Sequence, residues 1–527
     1  MLHLKTAMAT STRTDIEDRL TGRYYTPHSV ADRLVQFASA DGCPETVCDP
    51  FCGDGRMVVS WLKHKGSHGT LRNLKRISLW DCDATAVGQA VANVRNQLEL
   101  SDARDVIVDC FIGDTFTKSR AEKFDLVITN PPWEQLKPDS RDKVIDTFRY
   151  RDEIQSYAKI LTAAYPDAAA ARKRTIGGYT INLARAGAIA ASEITADRGT
   201  LLIVLPSTIF GDQVSGNFRK RFFSSLCVEQ VDFYPAEAKL FSRVDQSFVT
   251  VFARREGYSS NICIRRFRAD ITTCDVREHS IISQDDALPL SIGGEEHDLI
   301  KGLRLRHPEL SSLEDDLRFS LSLGRELDET RIAESFTSSA DGIPFLKGRD
   351  IGRFGTVPNH LDRIDPRARR IPSSAFERRL AWRDVSRPSQ KRRIHACLVP
   401  AGIVTGNSLG IARFNSPLPD LLEALIAVMN SIVFEVQVRG LLTTNHVSQG
   451  VLRRCVFPYD VFESEKMRAE LAQITVAGDE LDRSVRLEVL MARAYGISRD
   501  EFAQLLQPFS KLTSDETGAL LKRDIWL

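Results

Sequence analysis

Residues 124–133 read Phe-Asp-Leu-Val-Ile-Thr-Asn-Pro-Pro-Trp, an apolar run of strand length that stops at two prolines. Proline fixes φ and has no backbone N–H, so we expect a buried strand that ends at Asn130 and a rigid turn after it. In that turn the carboxamide of Asn130 and the carbonyl of Pro131 can converge as acceptors, with the indole of Trp133 beside them. Two acceptors and a flat ring suit a planar amine; the alternative is a rigid turn around a core tryptophan.

Short β-rich runs alternate with helical stretches on both sides of this segment. The alternation is typical of an α/β fold with a doubly wound, mostly parallel sheet. The last two runs lie too close together for a crossover helix, so we expect at least one antiparallel edge strand. The pattern predicts a Rossmann-like sheet of seven strands over residues 46–48, 76–80, 106–108, 124–129, 200–205, 229–234 and 247–253.

Acidic residues follow three of the predicted strands. Asp49 opens a turn that contains Gly53 and Gly55, Asp81 follows the second strand and Asp114 follows the third. The carboxyl ends of parallel strands meet at one edge of a sheet, where Asp81 can bond ribose hydroxyls and Asp114 the amine of an adenine. No glycine-rich loop with the Gly-Lys-Ser/Thr ending occurs, which favours a nucleoside without a triphosphate.

The composition is that of a globular protein with more than one core, since 27% of the 527 residues are charged and 43% are hydrophobic. The longest apolar run, residues 424–429, is too short to cross a membrane, and we expect a soluble, cytoplasmic protein with no membrane partner. Ten cysteines occur without a Cys-x-x-Cys pair, so we expect reduced thiols and no metal site.

Positive charge is concentrated in one segment. The whole chain has a net charge of +1, yet residues 341–400 contain 14 Lys and Arg against 6 Asp and Glu. Such an excess predicts a surface that binds nucleic acid, and the alternative is a solvated basic face. Within it the candidate contacts are Arg383, Arg387, Lys391, Arg392 and Arg393, and the polar turn at Thr444 and Asn445 lies further along the chain.

The Asn130-Pro131-Pro132-Trp133 turn resembles the catalytic signature of the amino-group DNA methyltransferases that use S-adenosylmethionine, and its asparagine is typical of the N6-adenine branch. Residues 22–27, Gly-Arg-Tyr-Tyr-Thr-Pro, resemble the segment that covers the methionine end of the cofactor. The order of motifs resembles the gamma class. The resemblance implies cofactor-binding roles for Tyr25, Thr26 and Asp49 at the methionine end, Asp81 at the ribose, Asp114 at the adenine, and Pro50, Phe51, Gly53 and Asn130 around them.

The resemblance continues to about Pro458. Residues 240–249 resemble the family's hairpin, which implies that Phe241 stacks on the extruded base together with Trp133, although core packing of this phenylalanine stays open. Residues 342–351 and 382–387 resemble the recognition modules of type II restriction-modification methyltransferases, which adds Lys347 and Arg349 to the expected DNA contacts. The resemblance implies a site-specific adenine methyltransferase (EC 2.1.1.72) that acts on double-stranded DNA beside a separately encoded endonuclease of the same specificity.

We therefore expect four segments. Residues 1–20 are an extension, 21–256 the catalytic domain that binds S-adenosylmethionine, 257–462 a mixed α+β target recognition domain, and 463–527 a helical tail. Apolar residues at helical spacing in the tail lie near one face, namely Met467, Leu471, Ile474, Leu481, Val485 and Val489.

Three other functions compete with this interpretation. A methyltransferase of rRNA or of protein glutamine shares the Asn-Pro-Pro-aromatic signature but is usually compact. A fused nuclease needs its own domain, and the nearest acidic cluster with a lysine, Asp232 with Glu237 and Lys239, falls inside the predicted sheet. A DNA-specificity subunit without catalysis should lack the acids and the double-proline turn, which this sequence contains.

Overall fold

The structure is a computed structural model, and it describes residues 25–37, 43–66, 71–136, 147–169, 181–212, 214–241, 246–281, 287–355, 357–387, 390–442, 445–476, 480–509 and 511–526. The chain divides into two compact units, Met1–Leu290 and Ser291–Leu527. The boundary therefore lies later than the expected position at residue 256.

A nine-stranded sheet forms the centre of the first unit. Its order is β11-β10-β8-β9-β7-β4-β1-β2-β3. The strands are β1 (Thr46–Asp49), β2 (Arg76–Asp81), β3 (Ile107–Ile112), β4 (Phe124–Thr129), β7 (Thr195–Pro206), β8 (Cys227–Tyr234), β9 (Phe248–Arg254), β10 (Asn261–Phe267) and β11 (Thr273–Ser280). A separate two-stranded sheet pairs β5 (Gln135–Leu136) with β6 (Ile181–Asn182).

The strand directions confirm the α/β class and correct the number of strands. β3, β2, β1, β4 and β7 are mutually parallel, whereas β9 is antiparallel to both β7 and β8. β10 is parallel to β8, and β11 is the antiparallel edge strand. The expected number of seven strands is wrong because β10 and β11 extend the sheet, and the charged and polar residues of these two strands concealed the strand pattern.

Helices pack against this sheet, and the loops that precede several of them lie at its carboxyl edge. They are α1 (His28–Phe37), α2 (Arg56–Gly66), α3 (Ala84–Leu100), α4 (Thr147–Ala164), α5 (Leu183–Ile194) and α6 (Gly216–Ser225). Asp83 caps α3 by accepting from the backbone N–H of Thr85 at 2.8 Å, which fixes the helix directly after β2. Consecutive residues of β2 and β4 are buried, so the core lies against both faces of the central strands.

The second unit contains two four-stranded sheets and a helical layer. The first sheet has the order β12 (Leu321–Gly324), β19 (Leu409–Phe414), β16 (Arg379–Arg383), β17 (Ala396–Val399), and the second has the order β13 (Phe336–Thr337), β15 (Asp362–Ile364), β14 (Ile343–Leu346), β18 (Val404–Thr405). The helices are α7 (Gly294–Arg306), α8 (Ser312–Asp315), α9 (Leu421–Asn430), α10 (Ile432–Leu441), α11 (Gln449–Arg453), α12 (Asp460–Glu463), α13 (Glu465–Val476), α14 (Glu480–Ala494), α15 (Arg499–Leu505) and α16 (Ser514–Leu520).

The predicted helical tail belongs to the core of this unit. Leu471, Leu487 and Tyr495 are fully buried in one cluster with Leu425 and Phe434. Leu481 is 43% exposed and does not share the buried face that its spacing predicted.

Among the described residues, no single helix has the length and apolar composition of a membrane span, although α9 and α10, bent by 64°, meet that test as a pair.

Candidate active site

A cleft opens at the carboxyl ends of β1, β2, β3 and β4. Eight of the residues predicted from the sequence line it: Tyr25, Thr26, Phe51, Gly53, Asp81, Asp114, Asn130 and Pro132. The structure therefore brings together segments that are more than 100 positions apart in sequence.

The turn after β1 forms the floor of the cleft. Gly53 and Gly55 have φ of 52° and 79°, a left-handed conformation that glycine adopts without steric cost. A side chain at Gly55 would meet the backbone of Ala90 at 3.0 Å, so this glycine lets the turn approach α3. The backbone N–H of Gly53 donates to Asp81 Oδ2 at 3.0 Å, which ties the turn to the next strand.

Two half-buried carboxylates face the cleft. Asp81 also accepts from the backbone N–H of Asp83 at 3.0 Å. Asp114 accepts from the backbone N–H of Phe116 at 3.0 Å and from the hydroxyl of Tyr157 at 2.7 Å. Burial and the nearby Asp114 charge raise the pKa of Tyr157, so this phenol stays protonated and donates. Both acids are held in fixed orientations with acceptor capacity left over.

Asp49 lies beneath the cleft instead of lining it. It is fully buried, and its Oδ1 accepts from Thr129 Oγ1 at 2.7 Å and from the backbone N–H of Phe51 at 3.1 Å. Its Oδ2 has no hydrogen-bond partner among the described residues. Burial therefore raises the pKa of Asp49 to about 7. Pro50 is also absent from the lining, and its carbonyl accepts from Thr115 Oγ1 at 2.7 Å.

The double-proline turn holds the Asn130 carboxamide between two partners. Trp133 Nε1 donates to Asn130 Oδ1 at 2.9 Å, and Asn130 Nδ2 donates to Thr26 Oγ1 at 3.1 Å. An indole nitrogen can only donate, so this contact fixes which end of the carboxamide is the oxygen. Pro131 packs against Gly187 of α5, where an added Cβ would overlap the proline ring.

Aromatic rings surround Trp133. Its indole lies 4.9 Å from the Phe241 ring and 6.1 Å from the Phe248 ring, measured between centroids. Trp133 is 9% exposed and Phe241 is 6% exposed. The structure therefore brings the two predicted stacking residues together, and it also packs Phe241 in the core.

Sequence reasoning missed Arg56 and Tyr157. Arg56 pairs with Asp54 at 2.6 Å, donates to the Thr26 carbonyl at 3.0 Å and lies 4.8 Å from the Tyr25 ring centroid, so it fastens the segment at residues 25–26 to the turn. For Arg56, the only indication in the sequence was the opposite charge of Asp54 two positions earlier. Tyr157 had none, because its approach to Asp114 depends on how α4 packs.

Several predicted DNA contacts point inward. Arg392 and Arg393 are buried, and Arg392 pairs with Glu435 at 2.7 Å and with Glu488 at 3.4 Å. Arg393 Nη2 donates to the carbonyl of Ser386 at 2.8 Å. The prediction that these two arginines contact DNA is therefore corrected: they are structural.

The other predicted contacts divide between internal and surface positions. Arg383 donates to the carbonyls of Gly348 and Ile351, Lys347 pairs with Asp362 at 2.7 Å, and Lys391 pairs with Glu516. The side chain of Arg349 is 73% exposed, Arg387 is exposed, and Asn445 is partly exposed. Thr444 lies outside the described residues. In the described part of the chain no cluster of His, Cys, Asp and Glu suits a metal ion.

Comparisons with known proteins agree with this geometry. The family described as N-6 DNA Methylase matches residues 11–165. The MjaVIII methylase subunit of a type I restriction enzyme from Methanocaldococcus jannaschii is 29% identical over 124 residues, 22% of this chain and 20% of that protein. The type II methyltransferase M.VspI from a Vibrio species is 24% identical over 127 residues, 24% of this chain and 29% of that protein. The chain thus spans less than a third of either curated relative.

Two solved structures share the overall fold. The DrdV–DNA complex matches with a TM-score of 0.54 at 10% identity, over 89% of this chain and 58% of that one. A nuclease-deletion mutant of the type ISP restriction-modification enzyme LlaGI, in complex with a DNA substrate mimic, matches with a TM-score of 0.54 at 11% identity, over 89% and 57%. The family match, the strand order and the Asn130-Pro131-Pro132-Trp133 turn all fall in the first unit, which is therefore the part of the chain that is similar to the N-6 DNA Methylase family.

Proposed function

We propose that this chain transfers a methyl group from S-adenosylmethionine to the N6 amine of an adenine in double-stranded DNA, as the modification enzyme of a restriction-modification system. The observation that carries the proposal is the position of Asn130. Its carboxamide lines the same cleft as Asp81 and Asp114, so an amine acceptor and two nucleoside-binding carboxylates share one cavity.

The lining of the cleft fits S-adenosylmethionine. Each carboxylate keeps lone pairs beyond its present hydrogen bonds, enough for ribose hydroxyls at Asp81 and an adenine amine at Asp114. Phe51 and Phe116, with ring centroids 5.3 Å apart, offer an apolar surface for a purine. Tyr25 and Thr26 would hold the methionine end, while Asp49 and Pro50 shape the turn from beneath. When bound, this cofactor supplies a methyl group on a positively charged sulfur.

The residues of the turn would position the target amine. The amine nitrogen of adenine is a poor nucleophile because its lone pair is delocalised into the ring. Asn130 Oδ1 and Pro131 O would accept hydrogen bonds from its two N–H groups, which favours a pyramidal nitrogen with a localised lone pair. The bond from Trp133 holds the oxygen of Asn130 in place before the base arrives, so catalysis rests on positioning and electrostatics.

A duplex hides this amine, so the adenine must be turned out of the helix. Trp133 and Phe241 lie beside the turn, and their rings would stack on the extruded base and offset part of the unstacking cost. We retain three of the expected DNA contacts in this proposal because their side chains are at least partly exposed, namely Arg349, Arg387 and Asn445. A DNA substrate also implies a cytoplasmic site of action.

The curated relatives belong to both type I and type II systems. We propose the site-specific adenine activity classified as EC 2.1.1.72 and, from the resemblance of residues 342–351, the type II arrangement with a separately encoded endonuclease. Mapping modified adenines in a methylation-free bacterial host that expresses the chain would identify the DNA site.

The direct test is Asn130→Ala. We expect methyl transfer to fall at least about a hundredfold, because losing one placed acceptor raises the barrier by a few kcal/mol. Binding of S-adenosylhomocysteine, measured by isothermal titration, should stay within a few-fold of wild type. Asn261→Ala, an exposed asparagine on β10, is the matched control and should change neither quantity. Transfer by Asn130→Ala within tenfold of wild type contradicts the proposal.

A further inference from the structure

The basic segment 341–400 exposes little of its charge. Seven of its cations lie beside a carboxylate, and they are Lys347, Arg349, Arg353, Arg378, Arg379, Lys391 and Arg392. Three more, Arg363, Arg383 and Arg393, donate to backbone carbonyls. Most of the positive charge counted in the sequence is therefore neutralised or enclosed within the second unit.

Four arginines of the segment differ from the rest. Arg367, Arg369, Arg370 and Arg387 are exposed, and none has an ion pair or a side-chain hydrogen bond within the described part of the chain. Three of the four fall within four consecutive positions, immediately after β15. We call residues 365–370 the arginine turn.

Hydrogen bonds hold the backbone of the first four residues of the arginine turn. The N–H of Asp365 donates to the carbonyl of Ser335 at 2.9 Å, and Asp365 Oδ1 accepts from the N–H of Arg367 at 2.9 Å. The N–H of Ala368 closes the turn on the carbonyl of Asp365 at 3.2 Å. Pro366 adds a locked φ. The backbone that carries Arg367 is therefore held in place before binding, so less backbone entropy is lost when the turn binds a ligand.

We propose that the arginine turn binds the phosphate backbone of the DNA on which this chain acts, an inference that rests on the proposed function. A guanidinium offers a planar fork of donors that matches two phosphate oxygens, and it is less strongly hydrated than an ammonium. The turn carries three positive charges against the single carboxylate of Asp365. Because phosphate contacts carry no sequence information, the arginine turn supplies affinity and orientation, not base recognition.

The test replaces Arg367, Arg369 and Arg370 together by Gln. Fluorescence anisotropy with a 40-base-pair duplex, in the presence of S-adenosylhomocysteine, measures affinity from about 50 to 200 mM salt. We expect at least a tenfold weaker affinity on every duplex and a salt slope flatter by two to three, since each phosphate that the variant no longer neutralises changes the slope by about 0.9.

Two further variants separate charge from folding. Replacing the same three residues by Lys keeps the charge, so we expect a salt slope near that of wild type. Replacing Arg331, Arg413 and Arg499 by Gln removes the same formal charge from positions that already lie beside carboxylates, and we expect a slope change below one. Thermal melting of each variant should match wild type.

The outcomes distinguish the two proposals. A wild-type chain that binds no duplex overturns both the proposed function and the arginine turn. If the wild-type chain binds DNA and the Gln variant has the same affinity and salt slope, only the proposal about the arginine turn is overturned. If the Gln variant loses binding to vesicles of anionic lipid but binds DNA as wild type does, the proposal that DNA is the partner of the arginine turn is overturned.

Discussion

Asp49 is fully buried, and within the described part of the chain only one of its two carboxylate oxygens forms a hydrogen bond. Its bonded oxygen joins the turn after β1 to Thr129, the residue before Asn130. The turn after β1 and the turn at residues 130–133 are therefore connected through one buried acid. Because burial raises its pKa to about 7, its charge changes within the neutral pH range.

Asp49→Asn should remove a pH dependence of stability. The folded protein binds more protons at Asp49 than the unfolded chain between its ordinary pKa of 3.8 and about 7, so wild-type stability falls as pH rises through that window. The full effect is at most roughly 4 kcal/mol at 1.36 kcal/mol per pH unit. We expect Asp49→Asn to raise the melting temperature more at pH 8 than at pH 5, measured by differential scanning calorimetry. Equal shifts at both pH values would show that Asp49 does not titrate in this range.

The sequence was informative at residues that follow strands. Asp81, Asp114 and Asn130 line one cleft as expected, because parallel strands of a doubly wound sheet end at one edge. The predicted arginine contacts were less accurate. A count of charges could not reveal that Arg392 faces buried glutamates, since those partners lie 43 and 96 positions away.

Gly187 of helix α5 packs against the double-proline turn at residues 130–133. Gly187 meets Pro131, and an added Cβ would also come within 3.3 Å of Phe51. The absence of a side chain lets α5 approach both the double proline and the turn after β1. Gly88 of helix α3 differs from Gly187 because it is exposed, and a Cβ added there would meet nothing within 4 Å.

Gly187→Ala should destabilise the first unit by about 1–3 kcal/mol, because the overlap with Pro131 outweighs the gain of roughly 1 kcal/mol in helix propensity. We also expect slower methyl transfer, as Pro131 and Asn130 would shift. Gly88→Ala is the control and should stabilise by about 0.5–1 kcal/mol without changing the rate. Calorimetry and a methyl-transfer assay measure the two effects. A Gly187→Ala protein as stable and active as Gly88→Ala would contradict the packing described.

Strands β10 and β11 show where element prediction failed. A mostly apolar run such as β4 predicts a strand that is buried on both faces. In β11, at the edge of the sheet, exposed and half-buried residues alternate instead. Its polar sequence resembled a loop. The domain boundary was misplaced for the same reason, since both strands belong to the first unit.

The second unit encloses a network of opposite charges. Arg392 lies between Glu435 and Glu488, Arg353 also pairs with Glu488 at 3.1 Å, and Arg439 pairs with Glu435 at 2.8 Å. Burial alone would raise the pKa of Glu435, but Arg392 and Arg439 outweigh it and hold that pKa at about 2. The network connects α10 and α14 with the segment after β16.

Arg392→Met should destabilise the second unit by about 3 kcal/mol, because two buried carboxylates lose a shared partner. Arg387→Met, at an exposed position, should cost less than about 0.5 kcal/mol. Urea denaturation followed by tryptophan fluorescence, to which Trp382 of the second unit contributes, measures both. At a temperature where Arg392→Met stays folded, its DNA affinity should equal that of wild type; a weaker affinity with unchanged stability would restore Arg392 as a DNA contact.

The position of β9 between β7 and β8 constrains how the chain folds as it leaves the ribosome. β8 is made before β9, yet it cannot join the sheet until β9 arrives to fill the place beside β7. At roughly 5 to 20 residues per second, the edge of β7 stays unpaired for several seconds of synthesis. An unpaired, apolar strand edge is a template for aggregation. The nascent chain should therefore be most vulnerable to misassembly, and most dependent on chaperones, in the interval between completion of β7 and completion of β9.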